Sequence, residues 1–284
     1  MSEPPFRHLA IFGLGLIGGS IGLAVKGRWP SVRITGIDRP HVVSTAIHLR
    51  VADDGGHDVT AAAGAGLVIL AAPVLQNAVA LRTIPDLLPG RVAVTDVGST
   101  KRVMEDAAAR LPERVAFVGG HPLAGAAVGG VEAARPDLFA DRPWILTGAD
   151  RAPADVLDSL MELITGTGAI PRRMDAVEHD RMLAFVSHLP QLAVSALMHV
   201  VGCRAGAEGL ALAGGGLRDT TRLASSPAPT WRDIVGTNAD NISGAIDDLI
   251  AALDQLRPVN GQVPPQLDEV FVSAAKWKGV LEHS

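Results

Sequence analysis

The chain has 284 residues, 48% of them hydrophobic and 19% charged, a formal net charge of −5 and a single cysteine, Cys203. That length suits two domains, and the low charged share leaves apolar surface for an oligomer. The acidic balance, with no Lys/Arg run longer than a pair, excludes a basic nucleic-acid-binding stripe, and one cysteine excludes an internal disulfide or a cysteine-rich metal site.

The segment from Met1 to His8 lacks the basic-then-apolar order of a signal peptide. No stretch approaches 18 uninterrupted apolar residues, so no membrane contact is expected, and a cytoplasmic location fits the lone cysteine. In chain order, Leu9–Phe12 reads as a buried strand, Leu16–Lys26 as a helix, Val32–Ile37 as a strand and Val42–Arg50 as a helix. Leu67–Ala71 is a third strand, closed by Pro73, and Leu75–Arg82 the next helix. Val92–Thr95 and Val115–Val118 are strands around a helix from Arg102 to Arg110. Trp144–Thr147 and Ala169–Ile170 are strands around the helix Ala154–Ile164. This rhythm predicts an α/β Rossmann domain with a doubly wound parallel sheet over residues 1–172. Beyond it the strand signals fade. Met174–Gln191, Leu192–Ala207, Ser243–Leu256 and Gln266–Leu281 read as helices, so residues 173–284 form an all-helical substrate and dimerisation domain.

Three motifs carry the chemistry. Gly13-Leu14-Gly15-Leu16-Ile17-Gly18 follows the first strand and opens the first helix. Gly13 allows a tight turn, Gly15 a close approach to a pyrophosphate, and Gly18 close helix–strand packing, while the helix N-terminus offers free N–H groups. Asp38 follows Gly18 by 20 residues at the end of the second strand, where a carboxylate accepts from ribose hydroxyls. It repels a 2′-phosphate and favours NAD, although the adjacent Arg39 leaves NADP open. The bland alternative is a glycine turn with a capping Asp38. Ala72 and Pro73, at the end of the third strand, complete the cofactor-facing set with Leu16 and Ile17.

Asp96-Val97-Gly98-Ser99-Thr100-Lys101 and His121-Pro122-Leu123-Ala124-Gly125 lie at the ends of the next two strands. Ligands bind beyond the carboxyl ends of such strands. A histidine there takes a hydroxyl proton as hydride leaves, and a serine beside it orients ring or substrate. His121 is otherwise a turn residue, and Ser99 an N-cap of the following helix.

These motifs resemble the prephenate/arogenate dehydrogenase family, and the resemblance runs on through Glu178-His179-Asp180, Ser187-His188-Leu189-Pro190, Leu217-Arg218-Asp219-Thr220-Thr221-Arg222-Leu223-Ala224 and Trp231-Arg232-Asp233-Ile234. It implies NAD-dependent oxidative decarboxylation of prephenate or arogenate in tyrosine biosynthesis, by a homodimer with no metal. It makes His121 the proton acceptor, with Ser99 near the same hydroxyl. Arg222 becomes the carboxylate clamp, Arg218 a second cation, and Trp231 part of the pocket or interface. His179 and His188 then either shape the substrate pocket or make interhelical hydrogen bonds, and His199 is structural. Gln191 stands where many prephenate-using relatives have histidine, which brings arogenate or a 4-amino-4-deoxyprephenate into contention. The chain's length leaves no room for a fused mutase or ACT domain, so tyrosine inhibition is expected at the active site.

Two rivals remain. Dehydrogenases of β-hydroxyacids or imines share the fingerprint but use a lysine in the helical half, where only Lys276 and Lys278 follow Lys101. A non-catalytic NAD-binding dimer module has no need of Ser99, His121 and Arg222 together.

Overall fold

The computed structural model describes residues 3–126 and 128–283. Met1 and Ser2, which begin the N-terminal segment read above, lie outside the described residues. The sheet-forming part comprises β1 (His8–Phe12), α1 (Leu16–Arg28), β2 (Arg33–Ile37), α2 (Pro40–His48), β3 (Asp54–Gly56), β4 (Leu67–Leu70), α3 (Val74–Leu87), β5 (Val92–Asp96), α4 (Arg102–Ala108), β6 (Val115–Pro122), β7 (Pro143–Thr147), α5 (Ala154–Gly166) and β8 (Ile170–Arg173).

One eight-stranded sheet has the order β3-β2-β1-β4-β5-β6-β7-β8. The strand order reverses between β1 and β4, which makes the crevice at their carboxyl ends the place for a ligand. β1 shows why the sheet is covered on both faces: Leu9 and Ile11 join one apolar cluster while Ala10, between them, joins the other. That is the period-two alternation of a strand buried on both sides. One departure from the sequence reading is that β7 runs antiparallel to β6, Gly119 facing Thr147 and Pro122 facing Trp144. Apolar patterning marks a strand but not its direction.

The helical part comprises α6 (Ala176–Leu183), a π-helical turn (Ala184–His188), α7 (Leu189–Ala211), α8 (Gly215–Thr220), a 3₁₀ turn (Arg222–Ser225), α9 (Ala228–Thr237), α10 (Ala239–Gln255) and α11 (Leu267–Glu282). α6, the π turn and α7 span 36 residues, with a kink at Gly206 (φ +60°), and the stretch is long and apolar enough by length and composition to cross a membrane. The π turn has a local cause. Pro190 lacks an N–H, so the helical ladder loses a donor there and the turn before it widens. The core of this half is small, centred on Ala184, Ile234 and Ile242. α11 buries no residue at all.

Candidate active site

The glycine loop has the form that a dinucleotide needs. Gly13 has φ +95°, and a Cβ there would meet Ala72 N at 2.5 Å, so only glycine lets this turn lie against the β4 loop. A Cβ on Gly18 would strike the Gly13 carbonyl oxygen at 2.0 Å, which sets the close helix–strand approach. Around Gly15, by contrast, the space beyond the backbone is open. Gly15 is also the N-cap of α1; no side chain caps that terminus and its first turn carries no acid. The helix end is therefore free to meet phosphate, with Leu16 and Ile17 half-buried in its first turn.

Asp38 closes the loop from the side. Its Oδ2 accepts from Leu14 N at 2.8 Å and its Oδ1 from Arg39 N at 2.7 Å, yet its side chain keeps 20% exposure. A partly exposed carboxylate at this place suits ribose hydroxyls. Arg39 points outward and is largely exposed. On the facing loop, Asn77 accepts from Ala72 N and donates to Leu70 O, holding Ala72 and Pro73 in place.

The second centre lies where β5 and β6 end. His121 is the penultimate residue of β6 and only 9% exposed. Its Nδ1 lies 2.9 Å from Nε2 of His179, on α6. The Nδ1 of His179 lies in turn 2.8 Å from Oδ1 of Asp180. Asp180 is fully buried and takes the first N–H groups of α4: Lys101 N donates to Oδ1 at 2.7 Å and Arg102 N to Oδ2 at 3.0 Å. The helical half thus supplies the cap of a helix in the sheet half. Arg102 binds the same carboxylate and reaches Asp240 and Asn238 on the far side.

Beneath His121 runs a buried ion pair. Lys101 Nζ donates to Asp96 Oδ2 and, at 2.6 Å, to the carbonyl of Gly120. Asp96 also accepts from Gly98 N and Gly120 N, so it ties the ends of β5 and β6 together. Burial lowers the Lys101 ammonium from its ordinary range, against the pull of Asp96. Burial, then the neighbouring His179, Lys101 and His188, hold His121 well below the ordinary histidine range. A neutral imidazole, the form that can accept a proton, is the result.

Ser99 is half-buried beside this cluster and does not cap α4; that work falls to Asp180. His188 is buried, with Nδ1 3.3 Å from Asn238 Nδ2 and Nε2 without a partner, and it packs edge-on to Trp231 at 6.1 Å. Asn238 also donates to the carbonyl of Asp180 at 2.7 Å, linking the two histidine sites. Gln191 donates to Leu223 O at 2.8 Å and to Ser195 Oγ at 3.1 Å, and accepts from Ser226 Oγ at 2.9 Å. It therefore braces the 3₁₀ turn that begins with Arg222. Arg222 and Arg218 are exposed and have no partner among the described residues. His199, on α7, approaches the sulfur of Cys203 at 3.8 Å. Sequence reasoning passed over Asp180, Asn238 and the Lys101–Asp96 pair as site residues, although three of the four stand inside motifs it had quoted.

Comparison with known proteins agrees with this geometry. Residues 21–171 match the family model described as prephenate dehydrogenase, nucleotide-binding domain, and residues 175–271 match prephenate dehydrogenase, dimerization domain. A prephenate dehydrogenase of Bacillus subtilis is 38% identical over 255 residues, covering 88% of this chain and 69% of that relative. A cyclohexadienyl dehydrogenase of Zymomonas mobilis is 33% identical, covering 89% of this chain and 88% of that protein. The crystal structure of prephenate dehydrogenase from A. aeolicus in complex with hydroxyphenyl propionate and NAD+ superposes with a TM-score of 0.81, at 28% identity, over 99% of this chain and 95% of that one.

Proposed function

This chain belongs to the prephenate dehydrogenase family, and on that premise we propose that it oxidises and decarboxylates a cyclohexadienyl substrate, prephenate or arogenate, with NAD, on the route to tyrosine. The observation that carries the reading is the buried, neutral His121 at a strand end of a nucleotide-binding sheet. The sheet unit, residues 1–172, holds the cofactor; the helical unit, 173–284, completes the substrate side and the dimer.

Gly13, Gly15, Leu16, Ile17 and Gly18 hold the pyrophosphate, Asp38 the adenosine ribose, and Ala72 with Pro73 the facing wall. Arg39 lies outside that set of contacts, and the carboxylate of Asp38 disfavours NADP. The chemistry that NAD+ supplies there is uptake of a hydride from the hydroxyl-bearing ring carbon. His121 accepts the proton of that hydroxyl at Nε2, the nitrogen not engaged by His179. Ser99 donates to or accepts from the same oxygen and orients it. Arg222, with Arg218 beside it, holds a substrate carboxylate by a fork of donors. Loss of the ring carboxylate as carbon dioxide then aromatises the product. His188 and Trp231 wall the pocket, and its unpartnered Nε2 gives His188 a hydrogen bond still to make.

The helical half forms a homodimer. α7 exposes Leu197 and Val200, and α11 exposes Phe271, Val272, Trp277 and Val280, all large apolar side chains that a second copy would cover. The long apolar stretch through α7 is then an interface helix, and a cytoplasmic enzyme results.

The test is NADH formation, followed at 340 nm with purified protein, NAD+, and prephenate or arogenate supplied separately. Turnover of either is expected. NAD+ binding with neither turned over would overturn the reading.

A further inference from the structure

The groups behind His121 determine which of its nitrogens carries the lone pair; this inference rests on His121 being the base. A carboxylate accepts and does not donate, so the hydrogen between His179 and Asp180 sits on Nδ1 of His179. A neutral imidazole has one N–H. His179 Nε2 is therefore an acceptor, and the hydrogen between the two rings sits on Nδ1 of His121. That leaves Nε2 of His121 with its lone pair. This nitrogen makes no hydrogen bond among the described residues and is not sealed from the cleft, unlike Nε2 of His188. We infer that His179 and Asp180 are positioning residues, which fix His121 as the Nδ1–H tautomer and share the positive charge that forms when its Nε2 takes the substrate proton.

Three observations support the direction of this chain. His179 is fully buried, and burial holds it below the ordinary histidine range against the opposing pull of Asp180, so it is neutral. Burial alone would raise Asp180, but the His179 hydrogen bond and the N–H groups of Arg102 and Lys101 outweigh it and keep the carboxylate ionised. A lock between domains would need only Asp180, from α6, capping α4; it would not need both nitrogens of an intervening ring. Asp180 lies in the helical half and His121 in the sheet half, so the base is aligned only when the two halves are docked.

The wild-type protein gives the first readout. With ¹⁵N-labelled histidine at pH 7.5, His121 and His179 should each show a protonated Nδ1 and an unprotonated Nε2; the opposite tautomer at His121 would overturn the inference. Two variants give the second. In Asp180, Oδ1 accepts from both His179 and Lys101 N while Oδ2 accepts from Arg102, so in Asp180→Asn one amide N–H must oppose a donor and the carboxylate's hold on the His179 tautomer is lost. His179→Gln breaks the link between the two ends. Each should lower kcat on the order of 10²-fold, with NAD+ affinity and KM little changed. In His179→Gln the acid limb of kcat/KM should move, because the ring that faces Nδ1 of His121 and helps to set its pKa is gone. Besides His179, the groups facing His121 are Lys101 with its partner Asp96, His188 and Asp180; none of these is altered in His179→Gln, so a shifted limb reports the broken link. An unmoved limb with unchanged kcat would overturn the inference. His121→Asn separates this from the parent reading: if it keeps full turnover, the base assignment falls; if it alone loses turnover, only the relay falls. Should Asp180→Asn not fold, the wild-type tautomers and His179→Gln decide the matter.

Discussion

His188 shows how much of this site is held against solvation. It is 1% exposed, one nitrogen has no partner, and burial lowers its pKa from the ordinary 6.5 to about 4. The folded pKa is the lower one, so between pH 6.5 and about 4 the unfolded chain binds a proton that the native state refuses. Stability should therefore fall on acidification through that window, by up to about 3 kcal/mol from this residue. Urea titrations at pH 7.5 and 4.5 check it: the wild type should lose more stability than His188→Gln, and equal losses would mean that His188 is solvated in the native state. Ser99 and His121 were legible from short patterns at strand ends, and His179 and His188 from the patterns that resemble the family. The partner of each was not legible. His121 meets His179 across 58 positions and Lys101 meets Asp180 across 79, and no spacing rule reports a contact between elements so far apart in the chain.

At the scale of elements, the 3₁₀ turn beginning at Arg222 is secured from α7 rather than from within. Gln191 satisfies its own amide on Leu223 O, Ser195 and Ser226, and so has little left to offer a ligand. Its effect on substrate would pass through the turn. Gln191→Ala should cost about 1–3 kcal/mol of stability from the lost buried hydrogen bonds, and should raise KM with kcat nearly kept; Arg222→Ala should do so more strongly. Steady-state kinetics of both variants would show this; an unchanged KM in Gln191→Ala would detach the turn from substrate binding. The elements themselves were readable where an apolar run or a clear period marked them, as in β1, β4 and α5, and the glycine fingerprint marked the start of α1. β3 escaped because Asp54-Gly55-Gly56 has no apolar pattern; it pairs with β2 through its backbone and through the Asp54 carboxylate, which accepts from Arg33 and Thr35. The stretch Met174–Gln191 read as one helix, but Pro190 places a π turn within it and starts α7 at Leu189.

For the whole molecule, the sheet half is a closed structure with apolar clusters on both faces, while the helical half has a three-residue core and a C-terminal helix with nothing buried. In the proposed homodimer a second copy would cover these exposed faces. The protein should elute as a dimer, and Trp277→Glu with Phe271→Glu should shift it toward monomer and lower its melting temperature; a fully active monomer would contradict the arrangement. Composition had pointed this way, since the low charged share left apolar surface to place, but it could not say that α11 exposes so much of it.

In the proposed mechanism His121 is the group that takes the hydroxyl proton. Its most direct test is the initial rate of NADH formation by His121→Asn, measured beside the wild type with the same cyclohexadienyl substrate, with NAD+ affinity measured on the same sample. A fall of about 10²–10⁴-fold in rate with unaltered NAD+ affinity is expected. A rate within a few-fold of the wild type would contradict the account at its centre.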